Sequence, residues 1–282
     1  MLDSAGYGPV TITKSVSLIA PGGVYAGITV FSGDGITVDA PGAIVVLRGL
    51  SINGLGGANG VNVLQAARVR IESCVISKMA VDGVMHSAPG AELIVLDTIV
   101  RDNGASGIGG DADASVVLDH VRSEHNGTNG FYMASLSGKA RAMISDSIFT
   151  FNGAHGVWVA ATNTGETDAH VERSVLAVNG SAGLNLSATG AGVIFAVVSR
   201  NAVYINAGYG VGVAGPGSAF AKVSENAFDS SLSADGAQTV VEASANTGDS
   251  FFTRSNGATL YTYGNNAGVQ GSAGVIVPKG LF

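Results

Sequence analysis

Between positions 101 and 125 the sequence gathers Arg101, Asp102, Asp119, His120, Arg122, Glu124 and His125. Carboxylates and arginines at this density are groups that can act on acidic sugars. A β-elimination needs a base to take the proton beside a uronate carboxylate and a cation to hold the negative charge that develops. Arg122 has the chemistry for either role, and Asp119 and Glu124 offer oxygen ligands to a calcium ion. Hydrolysis would need two carboxylates facing each other at roughly 5 to 9.5 Å, and Asp102 with Glu124 is the available pair. Against both stands simple pairing of opposite charges on a solvated face, where each pair contributes little.

A second set comprises Asp82, Asn129, Tyr132, His155 and Trp158, the last being the only Trp in the chain. These types suit sugar binding without turnover, because rings cover apolar C–H faces while polar groups bond hydroxyls. The competing expectation is that a longer loop, residues 160–167, folds over the rings and buries them. His86, His155 and His170 stand singly, without ligand spacing, so no resident metal is expected. No Gly-x-Ser-x-Gly elbow and no phosphate-binding loop occurs, which sets aside acyl-transfer and nucleotide chemistry.

What must position these side chains is a repeat. The stretch EHNGTNGFYM (124–133) returns as TFNGAHGVWV (150–159) and AVNGSAGLNL (177–186), and more weakly as RDNGASGIGG (101–110) and YINAGYGVGV (204–213). The closing glycines, Gly35, Gly60, Gly83, Gly107, Gly130, Gly156, Gly183, Gly210 and Gly236, lie 23 to 27 residues apart. A self-similar unit of that length marks a solenoid. Each unit holds an alternating apolar run after the glycine, a second midway (RVRIES, ELIVLD, SVVLDH, DAHVERS) and a short pair leading into the Asn. All have period two and none has helical spacing.

The reading is an all-β, single-stranded, right-handed parallel β-helix of about ten coils in one domain spanning 1–282. Residues 1–34 form the first coils, 35–236 the regular coils and 237–282 the last coils and a cap, with Phe251, Phe252, Tyr261 and Tyr263 covering the end. The tail GVIVPKGLF completes that cap or pairs with a second subunit. Tight corners are expected to need positive φ, supplied by Gly and tolerated by Asn. Asn103, Asn126, Asn152, Asn179 and Asn206 are expected to stack as a ladder, each amide bonding the next coil. Reading every second residue outward gives Thr37, Asn62, Met85, Gly109, Tyr132, Trp158, Asn185 and Gly212 as one column. Asn126-Gly-Thr and Asn179-Gly-Ser are formal glycosylation sequons that the repeat generates for its own reasons. Asp111-Ala112-Asp113 is a single faint match to a calcium-binding repeat.

Composition narrows the classes. Of 282 residues, 46% are hydrophobic and 12% charged, which excludes a disordered chain. The 42 glycines come without a three-residue period and with 6 prolines, so this is not collagen. The longest apolar run, 193–198, is too short to span a bilayer. A net charge of −7 with scattered basic residues offers no stripe for nucleic acid. Cys74 is the single cysteine, within an alternating strand, so it is expected to be a small buried residue and no intrachain disulfide forms.

The run LDSAGYGPVTITKSVSL, followed by GITVDAPGAIVVLRGLSINGLGGANGVNV, resembles the secreted bacterial right-handed parallel β-helix repeat proteins, which are pectate-lyase-like in fold. The resemblance covers nearly the whole chain. Members usually carry an amphipathic cap before the GYG stretch, and this sequence begins at Met1-Leu2-Asp3 without one. The resemblance implies an extracytoplasmic protein whose leader is absent from this chain. The functional expectation is a scaffold that engages polysaccharide along one face. The alternatives are a calcium-assisted uronate lyase and a structural module, monomeric or assembling end to end.

Overall fold

The structure is a computed structural model that describes residues 4–111, 113–248, 251–263, 265–267, 270–271 and 277–278. Ala112, Phe251's side chain and most of the tail 274–282 lie outside the described residues, and with them the Asp111-Ala112-Asp113 motif as a unit and much of the expected cap. Among the described residues every regular element is a strand, and no helix is long and apolar enough to cross a membrane.

The chain winds through three parallel sheets in rotation, each coil giving one strand to each sheet as far as Thr239–Ser244, after which the described strands alternate between the second and third sheets. The first sheet stacks ten short strands, among them Val75–Ser77, Ile99–Arg101 and Arg122–Glu124. The second stacks twelve, among them Val84–His86, Ile108–Gly110, Phe131–Ser135 and Val157–Ala161. The third also stacks twelve and holds the longest, such as Glu166–Glu172, Val193–Ser199 and Ser218–Ser224. The expected parallel β-helix is what the chain forms. Alternate residues of each strand point inward, as Phe131/Met133, Leu93/Val95 and Phe149 do, making one core along the axis. Full burial of such a side chain contributes roughly 1.5–3 kcal/mol, so stacking of like rungs dominates the stability.

The glycines of the repeat act differently from expectation. The left-handed corner residue is the one before each Asn: Asp102, His125, Phe151, Val178 and Ile205, at φ 53 to 57°. The motif asparagines and the closing glycines, Gly236 apart, do not have positive φ. What requires Gly is proximity. A Cβ on Gly127 would sit 2.1 Å from the Gly104 carbonyl oxygen, and one on Gly153 2.2 Å from that of Gly127. The backbone of each coil therefore rests directly on the next at this corner, leaving no room for a side chain.

Beside those glycines runs a buried amide column. Asn103 Nδ2 donates to Asn126 Oδ1 (2.9 Å), Asn126 to Asn152 (3.0 Å), Asn152 to Asn179 (3.0 Å) and Asn179 to Asn206 (2.9 Å). Each oxygen also accepts the backbone N–H of the preceding rung's Asn. With Asn126 and Asn179 buried this way, neither sequon presents its amide to solvent.

A second polar column, at the corner between the third and first sheets, has no repeated motif to announce it. Backbone N–H groups there donate to the side chain one rung on: Val121 to Ser147, Ser147 to Ser174, Ser174 to Asn201, Asn201 to Asn226 and Asn226 to Asn246. Cys74 occupies the same column. It is buried, and its Sγ lies within weak hydrogen-bond reach of the Glu72 carbonyl (3.3 Å) and the Leu50 N–H (3.4 Å). Burial, the main cause, pushes its thiol above the usual range, so Cys74 is an inert thiol in a hydroxyl's place.

Candidate functional site

The outward column of the second sheet is continuous in register: Thr37, Asn62, Met85, Gly109, Tyr132, Trp158, Asn185 and Gly212 are successive cross-strand partners. Because the strands are parallel and in register, Tyr132 and Trp158 fall one rung apart. Their ring centroids are 4.8 Å apart at 45°, the separation of neighbouring strands. Both rings are half-buried. The loop after Trp158 does not cover them, since Ala160 and Ala161 continue the strand. His155 tilts against Trp158 at 5.7 Å, and the indole Nε1 donates to Ser187 Oγ at 2.9 Å, one rung further on. That bond fixes the indole plane.

The residues at the corner before each closing glycine have a double role. The side chain of one coil accepts the backbone N–H of the next: Asp34 from Asn59, Asn59 from Asp82, Asp82 from Ser106, Asn129 from His155, and His155 Nδ1 from Ala182. Asn129 is buried in this column and its oxygen accepts the His155 N–H, so it stacks coils. His155 accepts at Nδ1, which leaves the proton on Nε2, and burial lowers its pKa. It is a neutral imidazole beside the indole.

Asp82 keeps a different character. Burial raises its pKa, the Ser106 N–H opposes this, and the neighbouring Asp111 adds to it. Asp111, which the sequence offered only as part of a faint calcium-repeat match, lies beside Tyr132. Burial and then the hydrogen bond to Asp111 push the phenol's pKa up, so Tyr132 stays protonated and donates to that carboxylate. Gly109, between Met85 and Tyr132 in the column, leaves a notch: a Cβ there would meet the Asp82 carboxylate at 3.6 Å. Asp82, Asp111, Tyr132, His155 and Trp158 thus form one patch with aromatic and polar walls.

The fold keeps Arg101, Asp102, Arg122 and Glu124 on neighbouring rungs of the first sheet and its corner, and turns Asp119 and His120 away from them. Arg122 and Glu124 point the same way on one short strand and pair with each other at 2.6 Å. Asp119 sits around the corner at the end of a third-sheet strand, held by His120 (3.1 Å) and the Ser145 hydroxyl (2.7 Å). Asp102 pairs with Arg101 at 3.2 Å. Arg122, Asp119 and Glu124 therefore do not converge as a base with a calcium site, and Asp102 and Glu124 each face their own arginine. Among the described residues no three of His, Cys, Asp and Glu are grouped as metal ligands.

A feature missed from the sequence lies on the third sheet. Phe195 and Phe220 are cross-strand partners with stacked rings, 5.4 Å apart at 13°. They line a shallow groove of about 310 Å³ with Asp168, His170, Lys222 and Glu242. Reading the outward column of the midway strand, as was done for the strand after the glycine, would have found it.

A family model described as the right-handed beta helix region matches residues 34–196. No curated protein sequence matches the chain. Among solved structures, the mannuronan C-5 epimerase AlgE4 A-module of Azotobacter vinelandii aligns with TM-score 0.70 and 14% identity, over 99% of this chain and 89% of that one. The AlgE6 A-module of the same organism aligns with TM-score 0.61 and 14% identity, over 99% and 87%. The Dettilon tailspike protein aligns with TM-score 0.53 and 10% identity, over 95% and 61%. Identities this low establish the common fold alone. With the family match spanning more than half of a chain built from three stacked parallel sheets, the protein belongs to the right-handed β-helix family.

Proposed function

We propose that this protein is a non-catalytic polysaccharide-binding β-helix, acting outside the cytoplasm, that takes a glycan strand across the second sheet with Tyr132 and Trp158 as its platform. The observation that carries the reading is the partly exposed Tyr132–Trp158 pair, oriented by the Trp158–Ser187 hydrogen bond and flanked by Asp82, Asp111 and His155. Rings one rung apart along the axis match the rise of consecutive sugar units, and carboxylates are strong acceptors for hydroxyls. The mannuronan C-5 epimerase A-modules that share the fold lend the reading general support. Lyase chemistry is less well supported, because Arg122 is tied to Glu124 and no arginine faces the aromatic pair.

Titration of Trp158 fluorescence with a panel of polysaccharides tests the proposal. A saturable shift that disappears in Tyr132→Ala, with circular dichroism unchanged, is the expected result. A flat response to every polymer overturns it. Arg122→Ala should leave binding intact, and loss of measurable turnover in that variant would restore the lyase reading.

A further inference from the structure

We infer that the glycan taken at the Tyr132–Trp158 face is uncharged and that uronate polymers are excluded; this rests on the carbohydrate reading above. The argument is the distribution of charge around the solenoid. From Ile36–Asp39 to Leu232–Asp235, no strand of the second sheet carries Lys or Arg, and neither do the corners that follow them. The third sheet, by contrast, holds Arg48, Arg68, Arg70, Lys139, Arg141 and Lys222. Among the described strands of the second sheet the one Lys or Arg is Arg254, near its C-terminal end; Lys14 follows the first strand, Lys78 lies at the far side of a corner, and Arg68 and Lys139 open third-sheet strands beyond the next corner.

Carboxylates are not scarce there. Asp34, Asp39, Asp82, Asp111, Asp113 and Asp235 all belong to the second sheet or its corners. Their recorded partners are neutral: Asn59 and Asn62 for Asp34, Gln65 for Asp39, the Ser106 N–H for Asp82, the Leu136 N–H for Asp113, and Ser255 and Asn256 for Asp235. Among the described residues, the ion pairs lie on the other two sheets and the corners around the first. Asp113 shares a groove with Lys139 and Arg141 of the third sheet, but among the described residues no ion pair compensates Asp82 or Asp111, and around the aromatic pair the face is negative.

A uronate polymer places one carboxylate on every sugar. Laid along the aromatic pair, it would bring those charges against Asp82 and Asp111 with no cation to receive them. Two like charges about 4 Å apart weaken binding by roughly fivefold even at the dielectric of water, and by more where the medium is partly protein. Aspartates held by neutral donors keep their remaining lone pairs for sugar hydroxyls, which suits a polymer whose only polar groups are hydroxyls.

The test uses the full chain and Trp158 fluorescence against neutral glucan, mannan and xylan, against alginate and polygalacturonate with their carboxyl-reduced forms, and against chitosan. The expected result is saturable binding of at least one neutral polymer, insensitive to salt, with uronate polymers at least about tenfold weaker and gaining as salt screens the repulsion. Asp82→Asn combined with Asp111→Asn should narrow that gap. Binding of alginate or polygalacturonate that Tyr132→Ala abolishes and salt weakens would overturn the inference while leaving the carbohydrate reading standing. Binding of chitosan alone would overturn it in the same way. No Tyr132-dependent binding of any polymer would sink both.

Discussion

His86 provides a direct test of how this core is built. It ends the strand Val84–His86 and points inward, between Val63 and Gly110 on the neighbouring rungs. Only 2% of it is exposed, and neither ring nitrogen has a hydrogen-bond partner. The backbone of Ala91 opposes the effect of burial as the lesser influence. The adjoining void, lined by Leu93, Ile108, Phe131 and Met133, is too small for a water. Burial therefore lowers its pKa from 6.5 to about 4. The folded state resists the proton that the unfolded chain accepts near 6.5, so this contribution is complete above pH 6.5 and is lost as pH falls towards 4. Each pKa unit corresponds to about 1.4 kcal/mol, so the full loss approaches ~3 kcal/mol, and roughly 2.5 kcal/mol has gone by about pH 4.5.

The perturbation is His86→Leu, which removes the titrating ring and keeps an apolar side chain of similar volume. At pH 7 the variant should match or slightly exceed the parent, since two buried unpaired nitrogens are removed. Urea unfolding at about pH 7 and pH 4.5 then measures the difference. Asp146 and Glu172, whose arginine partners lower their pKa values, also lose stability in acid, but equally in both proteins. The parent should lose about 2.5 kcal/mol more than the variant. Parallel losses within about 0.5 kcal/mol would refute the reasoning, as would a His86 resonance titrating near pH 6.5.

Other consequences follow from the corners. Asn152→Ala removes the middle of the amide column, orphans the backbone N–H of Asn126, takes one acceptor from its Nδ2 and removes the donor to Asn179, so thermal unfolding should show a loss of about 3 kcal/mol or more. Gly153→Ala should be at least as severe, because its Cβ would fall 2.2 Å from a carbonyl oxygen; near-normal stability would show that the coils can separate there. Ile205 is a β-branched residue at φ 53° and 64% exposed. Ile205→Asn should relieve strain and stabilise by roughly 1 kcal/mol in chemical denaturation. Cys74→Ser should be tolerated, since Ser147 and Ser174 serve the same column; a loss above about 2 kcal/mol would show that the sulfur's volume matters more than its hydrogen bonds.

Much of the architecture was legible in the chain because the cause is local and repeated. Period-two alternation sorts residues into inward and outward sets. A glycine returning every 23 to 27 residues sets the coil length, which alone places Asn103 to Asn206 in line and Tyr132 beside Trp158. What the chain could not show is what a residue meets on the next coil. Gly127 and Gly153 looked like conformational glycines, and only the stacked backbones reveal them as glycines of close approach, with φ above zero passing to the residue before Asn. Asn129 read as an exposed polar group, but its oxygen is taken by His155 one coil away. Arg122 and Asp119 are three positions apart in sequence, yet a corner turns them onto different sheets. Asp111 gained its meaning only from Tyr132, which belongs to the next coil. In a solenoid, periodicity decides which positions stack. Contacts between rungs pair residues some 25 positions apart through corners of variable length, so the chemistry of each stack is decided only once the coils have closed on one another.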